Sequence, residues 1–293
     1  MYYLVRSILY LVSLLPFWVL YPISDCFYAI TFYLVKYRRD IVMQNLAIAF
    51  PEKTKKERRA IAKKFYRNMI DTFIESIKFI TISGKQLSQR SSGEFDLINS
   101  LIAKGRNVHV MAGHQFNWEF ANLQYSRNLT LPFVGVYMPI GNKILNKIFY
   151  KFRGKYGTVL ISKNDFKNKR HEVFSSQYCL ALAADQNPAD PSNAYWMRFF
   201  SQPVPFVTGP AKGAITNNTA VVYVGFHKLK RGHYLFRTTL LAENGSDHTA
   251  EQLTAMYRDE LERTIRLDPA NYLWSHRRWR WQWKEEYGPL LND

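Results

Sequence analysis

The stretch Val108–Tyr125, VHVMAGHQFNWEFANLQY, decides the reading of the fold. Asn107 to Ala112 is a short apolar run that follows Lys104-Gly105, a helix stop, and it reads as a buried strand. Glycine and polar residues come next, and a helix then starts near Asn117. His114 and Glu119 have four residues between them. On one continuous helix their side chains would point about 140° apart and could not meet. With His114 in the turn and the helix beginning near Asn117, the imidazole can fold back onto the first helical turn, where the helix dipole favours a carboxylate. Glu119 would then accept the Nδ1 proton and leave Nε2 free as a base. This is a catalytic triad without its nucleophile, so the hydroxyl belongs to a substrate and the chemistry is transfer onto an alcohol. The same spacing also suits a turn histidine beside a helix start.

Working outward, Phe133 to Tyr137, Thr158 to Ile161, Tyr178 to Ala184 and Ala220 to Phe226 read as further strands. His233 to Leu241 pairs with the last of them across a turn containing Gly232. Lys143 to Tyr156 and residues 249 to 267 read as helices. Alternating strands and helices argue an α/β fold with a mostly parallel central sheet covered by helices. Ligands in such sheets bind beyond the carboxyl ends of the strands, where His114, the Pro139–Asn142 loop and Asp185 fall. Upstream, residues 36 to 80 read as helical. Thr54 with Glu57 has the capping-box spacing, and Ile61, Phe65, Met69, Phe73 and Ile77 form one apolar stripe.

The N-terminus has eighteen uncharged residues, Ser7 to Ser24, between Arg6 and Asp25. That is near the lower limit for crossing a bilayer, and Pro16 and Pro22 would kink or end a helix there. A second apolar run, Cys26 to Val35, is too short to span, and Lys36, Arg38 and Arg39 after it suit a cytoplasmic face. No small-residue cleavage site of a signal peptide follows. The simplest division is a membrane-associated element over residues 1–35, as one span or an in-plane helix, and a catalytic domain over residues 36–293. A buried hairpin of the core is the other reading of the first element.

The 293 residues are 47% hydrophobic and carry a formal charge of +17, which attracts polyanions such as anionic lipid, an acidic protein or nucleic acid. No helix-turn-helix, RNP or zinc-finger pattern supports nucleic acid. Cys26 and Cys179 lie far apart in apolar surroundings and read as reduced thiols, and no metal-ligand spacing is present. Lys143, Lys147, Lys151 and Lys155 recur every four residues, either as a solvated face or as a dock for an acidic carrier protein or lipid phosphates. Trp274, Trp279, Trp281 and Trp283 interleave with Arg277, Arg278 and Arg280, as at a headgroup interface or in a core covered by arginine stems. His109 and His276 have no assigned role.

Several motifs in order resemble the bacterial lipid A biosynthesis acyltransferases: NLAIAFPEKT (Asn45–Thr54), HQFNWE (His114–Glu119), VYMP with Asn142, Arg153 and Gly157, DQNP (Asp185–Pro188), FFSQPVPFVTGPAKGA (Phe199–Ala214) and YLWSHRRW (Tyr272–Trp279). The resemblance covers roughly residues 40 to 282 and implies a glycerol-3-phosphate acyltransferase-like fold. It implies transfer of a fatty acyl chain from a thioester, on acyl carrier protein or coenzyme A, to a hydroxyl of a membrane glycolipid, with no further cofactor. His114 would be the base and Glu119 its orienting carboxylate. Arg153 would bind or polarise the donor, and Asn117, Asn142, Asp185 and Gln186 would bind donor or acceptor. The implied place is the bacterial inner membrane, with catalysis on the cytoplasmic side. Phe116 and Ser201 replace glycines usual in the family, which bears on the acceptor more than on the reaction. Another acceptor, such as a lysophospholipid or aminolipid, and a lipid-binding protein without catalysis are the other readings.

Overall fold

The computed structural model describes residues 1–291. The helices are α1 (Tyr2–Leu14), α2 (Phe17–Ala29), α3 (Arg39–Ala49), α4 (Lys55–Lys78), α5 (Gly84–Arg90), α6 (Asp96–Ala103), α7 (Trp118–Asn128), α8 (Lys143–Arg153), α9 (Phe166–Phe174), α10 (Gly209–Thr216) and α11 (Ala250–Leu267). The strands are β1 (Ser91–Gly93), β2 (Val108–Ala112), β3 (Phe133–Tyr137), β4 (Val159–Ser162), β5 (Cys179–Ala183), β6 (Ala194–Phe199), β7 (Gln202–Val207), β8 (Ala220–Lys230), β9 (His233–Ala242) and β10 (Leu290–Leu291).

Strand β2 lies in the middle of a seven-stranded sheet of order β1-β9-β8-β2-β5-β3-β4. Its pairings with β5 and β8, and those of β3 with β4 and β5, are parallel. The β8–β9 hairpin is the antiparallel exception, and its turn places Gly232 at φ +70°, where a side chain would be strained. Alternate residues of β2 serve opposite layers. Val108 and Val110 join a core with Phe120 and Leu123 of α7, whereas Met111 joins one with Tyr257 and Leu261 of α11 and Phe65 of α4. The fold class expected from the alternating pattern is therefore the one observed.

Two local expectations need correction. The helical stretch over residues 36–80 is broken: α3 ends at Ala49, because Pro51 disfavours helical conformation in Phe50, and α4 restarts on the Thr54–Glu57 capping box. The uncharged run 7–24 is not one helix. Pro16 pushes Leu15 to ψ 140° and separates α1 from α2, while Pro22 sits inside α2, which continues through a π-helical turn, Ile30–Val35. The helix long and apolar enough to cross a membrane is thus Phe17–Val35, and Phe17, Leu20, Ser24, Tyr28 and Phe32 are its buried residues. Strands β6 and β7, for which the sequence offered no reading, form a hairpin that joins β10 in a second sheet. Pro203 and Pro205 disguise β7 in the sequence, since proline cannot donate to a ladder. The hairpin turns on Phe200 and Ser201 at φ 50° and 65°, the conformation the family's usual glycine adopts without strain.

Helices α1 and α2 do not stand apart from the rest. Ser24 donates to Asp71 at 2.7 Å, and Arg231 of the β8–β9 turn bridges Asp25 and Asp71 at 2.7–3.1 Å. Lys78 donates to the carbonyls of Ser13 and Leu15 at 2.8 and 2.9 Å, satisfying acceptors at the end of α1. Their outer faces remain apolar and exposed, with Tyr3, Leu4, Leu11, Trp18, Leu34 and Val35 all more than 60% accessible.

Candidate active site

Parallel pairing of β2 with β5 puts Ala112 opposite Ala183. Two residues beyond each are His114 and Asp185, so the sheet itself brings them together. His114 Nδ1 lies 2.6 Å from Asp185 Oδ1, and the His114 N–H donates to Oδ2 at 3.0 Å. Asp185 is 1% exposed. Burial alone would raise its carboxyl, but the charge of His114 and the hydrogen bonds from it prevail and hold it at about 2. Burial pushes the His114 imidazole down, and the Asp185 carboxylate more than offsets this, leaving it above its ordinary value. With Nδ1 on Asp185, Nε2 points away from the carboxylate as the reactive nitrogen. The expectation that Glu119 accepts the Nδ1 proton is therefore corrected: Asp185 does.

Glu119 has a different partner. Arg153, the last residue of α8, donates from Nε to both carboxylate oxygens at 3.0 and 2.9 Å and from Nη2 to Oε1. The Trp118 indole N–H adds a contact to Oε1 at 3.1 Å. Glu119 is 2% exposed, so the charge is sustained by this fork of donors. Burial lowers the affinity of the Arg153 guanidinium for its proton, but Glu119 outweighs it and the net direction is up. The two carboxylates thus have separate partners, Asp185 with His114 and Glu119 with Arg153, and the Trp118 ring packs edge-on to the His114 ring at 6.0 Å.

The turn between β2 and α7 is held by the chain near the C-terminus. The Phe116 N–H donates to Asn271 O at 3.0 Å, Asn271 Nδ2 returns a bond to Phe116 O, and the Leu273 N–H donates to His114 O at 3.0 Å. Phe116 is 1% exposed and packs on Phe65 and Trp118. It therefore fills core beside His114 and lines none of the three cavities that reach that residue. The N–H groups of His114, Gln115 and Phe116 are engaged by Asp185, Gly113 O and Asn271 O. Arg153 Nη1 makes no hydrogen bond among the described residues, and Arg153 lines the same cavity as His114.

Asn117 does not contact substrate space. It is fully buried, caps α7 by accepting from the N–H groups of Glu119 and Phe120, and donates to Glu75 at 2.8 Å. Glu75 on α4 also accepts from Tyr21 at 3.1 Å and Tyr234 at 2.7 Å. Burial drives its carboxyl above the usual range, with Lys228 opposing. Replacing Glu75 with leucine strands three buried donors, each costing about 1–3 kcal/mol. Denaturant unfolding is expected to show a loss of about 3 kcal/mol or more, and a much smaller loss for Glu75→Gln.

Asn142 likewise acts as a helix cap, accepting from the N–H groups of Ile144 and Leu145 at the start of α8. Its Oδ1 is used in this cap, and the residue itself is exposed. The lysine stripe on α8 is not uniformly free: Lys155 donates to Ile82 O and Phe79 O at 2.6 and 3.3 Å, and Lys147 lies 4.7 Å over the Tyr2 ring. Lys143 and Lys151 remain exposed.

Three cavities meet at His114. One of about 330 Å³ runs between the sheet and α7, past Glu119 and Arg153 to an apolar end at Val110, Tyr125, Phe133 and Ala181. A second, of about 620 Å³, passes Gln186 and has Lys163, Arg170 and Lys212 among its cations. A third, of about 520 Å³, reaches His114 and Gln186 from the side of α2 and α4, along Thr31, Ile70 and Phe73. Gln186 thus lines two of the approaches. His276, in the third cavity, is held near 4 by burial, with Asp185 opposing, and is neutral there at physiological pH.

A histidine–aspartate pair and an arginine–glutamate pair thus stand at the carboxyl edge of the α/β sheet, and the sequence comparisons give the class of the protein as acyltransferase. Residues 1–281 match the bacterial lipid A biosynthesis acyltransferases. The chain is 22% identical over 277 residues to a lipid A biosynthesis lauroyltransferase of Escherichia coli (strain K12), covering 94% of this chain and 89% of that protein. The protein belongs to the bacterial lipid A biosynthesis acyltransferase family and is an acyltransferase of lipid A synthesis.

Proposed function

We propose that the protein moves a fatty acyl chain from an acyl thioester, carried by acyl carrier protein, to a hydroxyl of a lipid A precursor at the cytoplasmic face of the bacterial inner membrane. The observation that carries this reading is the His114–Asp185 pair at the junction of three cavities. The acceptor hydroxyl gives its proton to His114 Nε2 while its oxygen attacks the thioester carbonyl. Arg153 Nη1 stabilises the oxyanion. As the carbonyl reforms, the carbon–sulfur bond breaks, the thiolate leaves with the electron pair, and the proton on His114 passes to it.

The apolar cavity of about 330 Å³ suits the acyl chain, and the cation-lined one suits the donor's carrier arm. Lys143 and Lys151 remain available to an acidic carrier, whereas Lys147 and Lys155 are partly committed to the fold. The cavity that opens beside α2 receives the acceptor lipid from the membrane. We read α1 and α2 as lying in the plane of the membrane. A crossing α2 would have to separate Ser24 and Asp25 from Asp71 and Arg231 on the charged body of the protein.

Filling the end of the acyl cavity tests its assignment. Ala181→Leu is expected to shift donor preference toward shorter chains, read as a changed ratio of kcat/KM between two carrier-bound acyl thioesters of different length. An unchanged ratio would remove the chain from this cavity. The function itself is tested by mass spectrometry of lipid A from cells with and without the protein. A species short of one acyl chain in cells lacking it is expected, and unaltered lipid A with altered phospholipids would overturn the acceptor.

A further inference from the structure

A cavity of about 620 Å³ that none of the foregoing chemistry uses lies between the segment after α2 and the tail that follows Asn271. Lys36, Arg38, Arg39, Arg277 and Arg280 surround it, with Asp40 as the acidic residue on its wall. Five cations against one carboxylate around a single hollow repel one another, a cost that a bound anion would relieve. The backbone is bent to present them: Lys36 and Arg38 sit at φ 54° and 48°, a region that non-glycine residues rarely occupy. Arg38 Nη1 donates to Ser275 O at 3.1 Å, and Asn45 Nδ2 donates to the carbonyls of Trp274 and His276 at 2.7 Å each. These bonds tie the two basic segments together, so the cluster is fixed by the fold.

Its position states which anion it meets. The cavity begins directly after Val35, where the exposed apolar face of α2 and its π-helical turn ends at Leu34 and Val35. This places it at headgroup depth beside an in-plane helix. Arg38 lines this cavity and also the third of those meeting at His114. A lipid whose headgroup lies among the arginines can therefore lay a chain past Thr31 and Ile70 and bring a hydroxyl to Nε2. Guanidinium forks match phosphate oxygens in pairs.

We propose that this basic cavity binds a phosphate group on the headgroup of the acceptor lipid and thereby sets which hydroxyl reaches His114. The proposal rests on the acyl-acceptor reading above, and its test is chosen to fail separately. Full-length protein is titrated with phosphatidylcholine vesicles containing phosphatidic acid, or the matching diacylglycerol, and binding is followed by co-flotation. Arg277→Gln with Arg280→Gln is expected to weaken binding to the phosphatidic acid vesicles about ten-fold, corresponding to about 1.4 kcal/mol. Binding to the diacylglycerol vesicles should barely change. Lys167→Gln with Lys169→Gln, an equal loss of charge elsewhere, should change neither appreciably. Equal losses for the two pairs would reduce the effect to general charge and overturn the site. Competition by millimolar inorganic phosphate as effective as that by the vesicles would overturn the lipid source. In the transfer assay, the arginine pair should raise KM for a phosphorylated glycolipid acceptor more than for its dephosphorylated form, and equal effects on both would overturn the proposal. A wild-type protein that binds phosphatidic acid through these arginines yet transfers no acyl group would sink the acceptor reading and leave the phosphate site standing.

Discussion

Substituting His114 with alanine is expected to lower acyl transfer about 10²–10⁴-fold, the range in which a positioned general base contributes. The fall should be in kcat, with KM for the donor nearly unchanged, because the imidazole borders the acyl cavity without forming its apolar end. The same substitution leaves the buried Asp185 carboxylate without the imidazole, while the main-chain donor of residue 114 remains. A stability loss of a few kcal/mol should accompany it, so activity has to be expressed per folded molecule, with folding followed by near-ultraviolet circular dichroism. A variant that is folded and still within ten-fold of wild type would exclude His114 as the base.

The second large effect concerns the Arg153–Glu119 pair. Arg153→Met alone strands a carboxylate that is 2% exposed, and a loss of about 3–5 kcal/mol is expected. It also removes the free Nη1 donor, for which a fall in kcat of about 10²–10³-fold is expected. Combining Arg153→Met with Glu119→Leu replaces an ion pair by apolar groups, and most of the stability should return. The transfer rate should not. Urea unfolding and steady-state kinetics on the single and double variants separate the two roles. A double variant that regains both would make the pair purely structural.

The site was partly legible in the sequence. The apolar run before Gly113 and the asparagine before Trp118 placed His114 in a turn and began α7 at Trp118, as observed. The position of Asp185 past a strand end was legible too. What the spacing could not reveal was its meeting with His114, because that depends on which strands are neighbours. Strands β2 and β5 are separated in the chain by two other strands and pair only in the folded sheet. The nearer carboxylate, Glu119, was the natural choice, and Arg153 claims it from a different helix. Asn117 and Asn142 were assigned to donor or acceptor binding through the family resemblance. Both are caps, the commonest use of asparagine before a helix. Pro51 was a readable helix break, and Pro16 marked the end of α1. Pro22 did not act alike, because α2 carries a proline in its interior. The straps from Asn271 and Leu273 onto the catalytic turn had no local signal, since long-range backbone pairing leaves no pattern in either segment.

The most direct test of the pairing of His114 with Asp185 is the pH dependence of kcat/KM for wild type, Asp185→Asn and Glu119→Gln. The acidic limb reports the base in the free enzyme, and Asp185 holds the His114 imidazole above its ordinary value of 6.5. Transfer should therefore rise with pH through a midpoint above 6.5, as the proton leaves Nε2. In Asp185→Asn the charge that favours the imidazolium is gone and burial acts alone, so the midpoint should move below 6.5 while the plateau falls. In Glu119→Gln the midpoint should stay where wild type has it, whatever happens to the plateau. A limb that moves in Glu119→Gln and stays in Asp185→Asn would contradict the assignment and return the orienting role to Glu119.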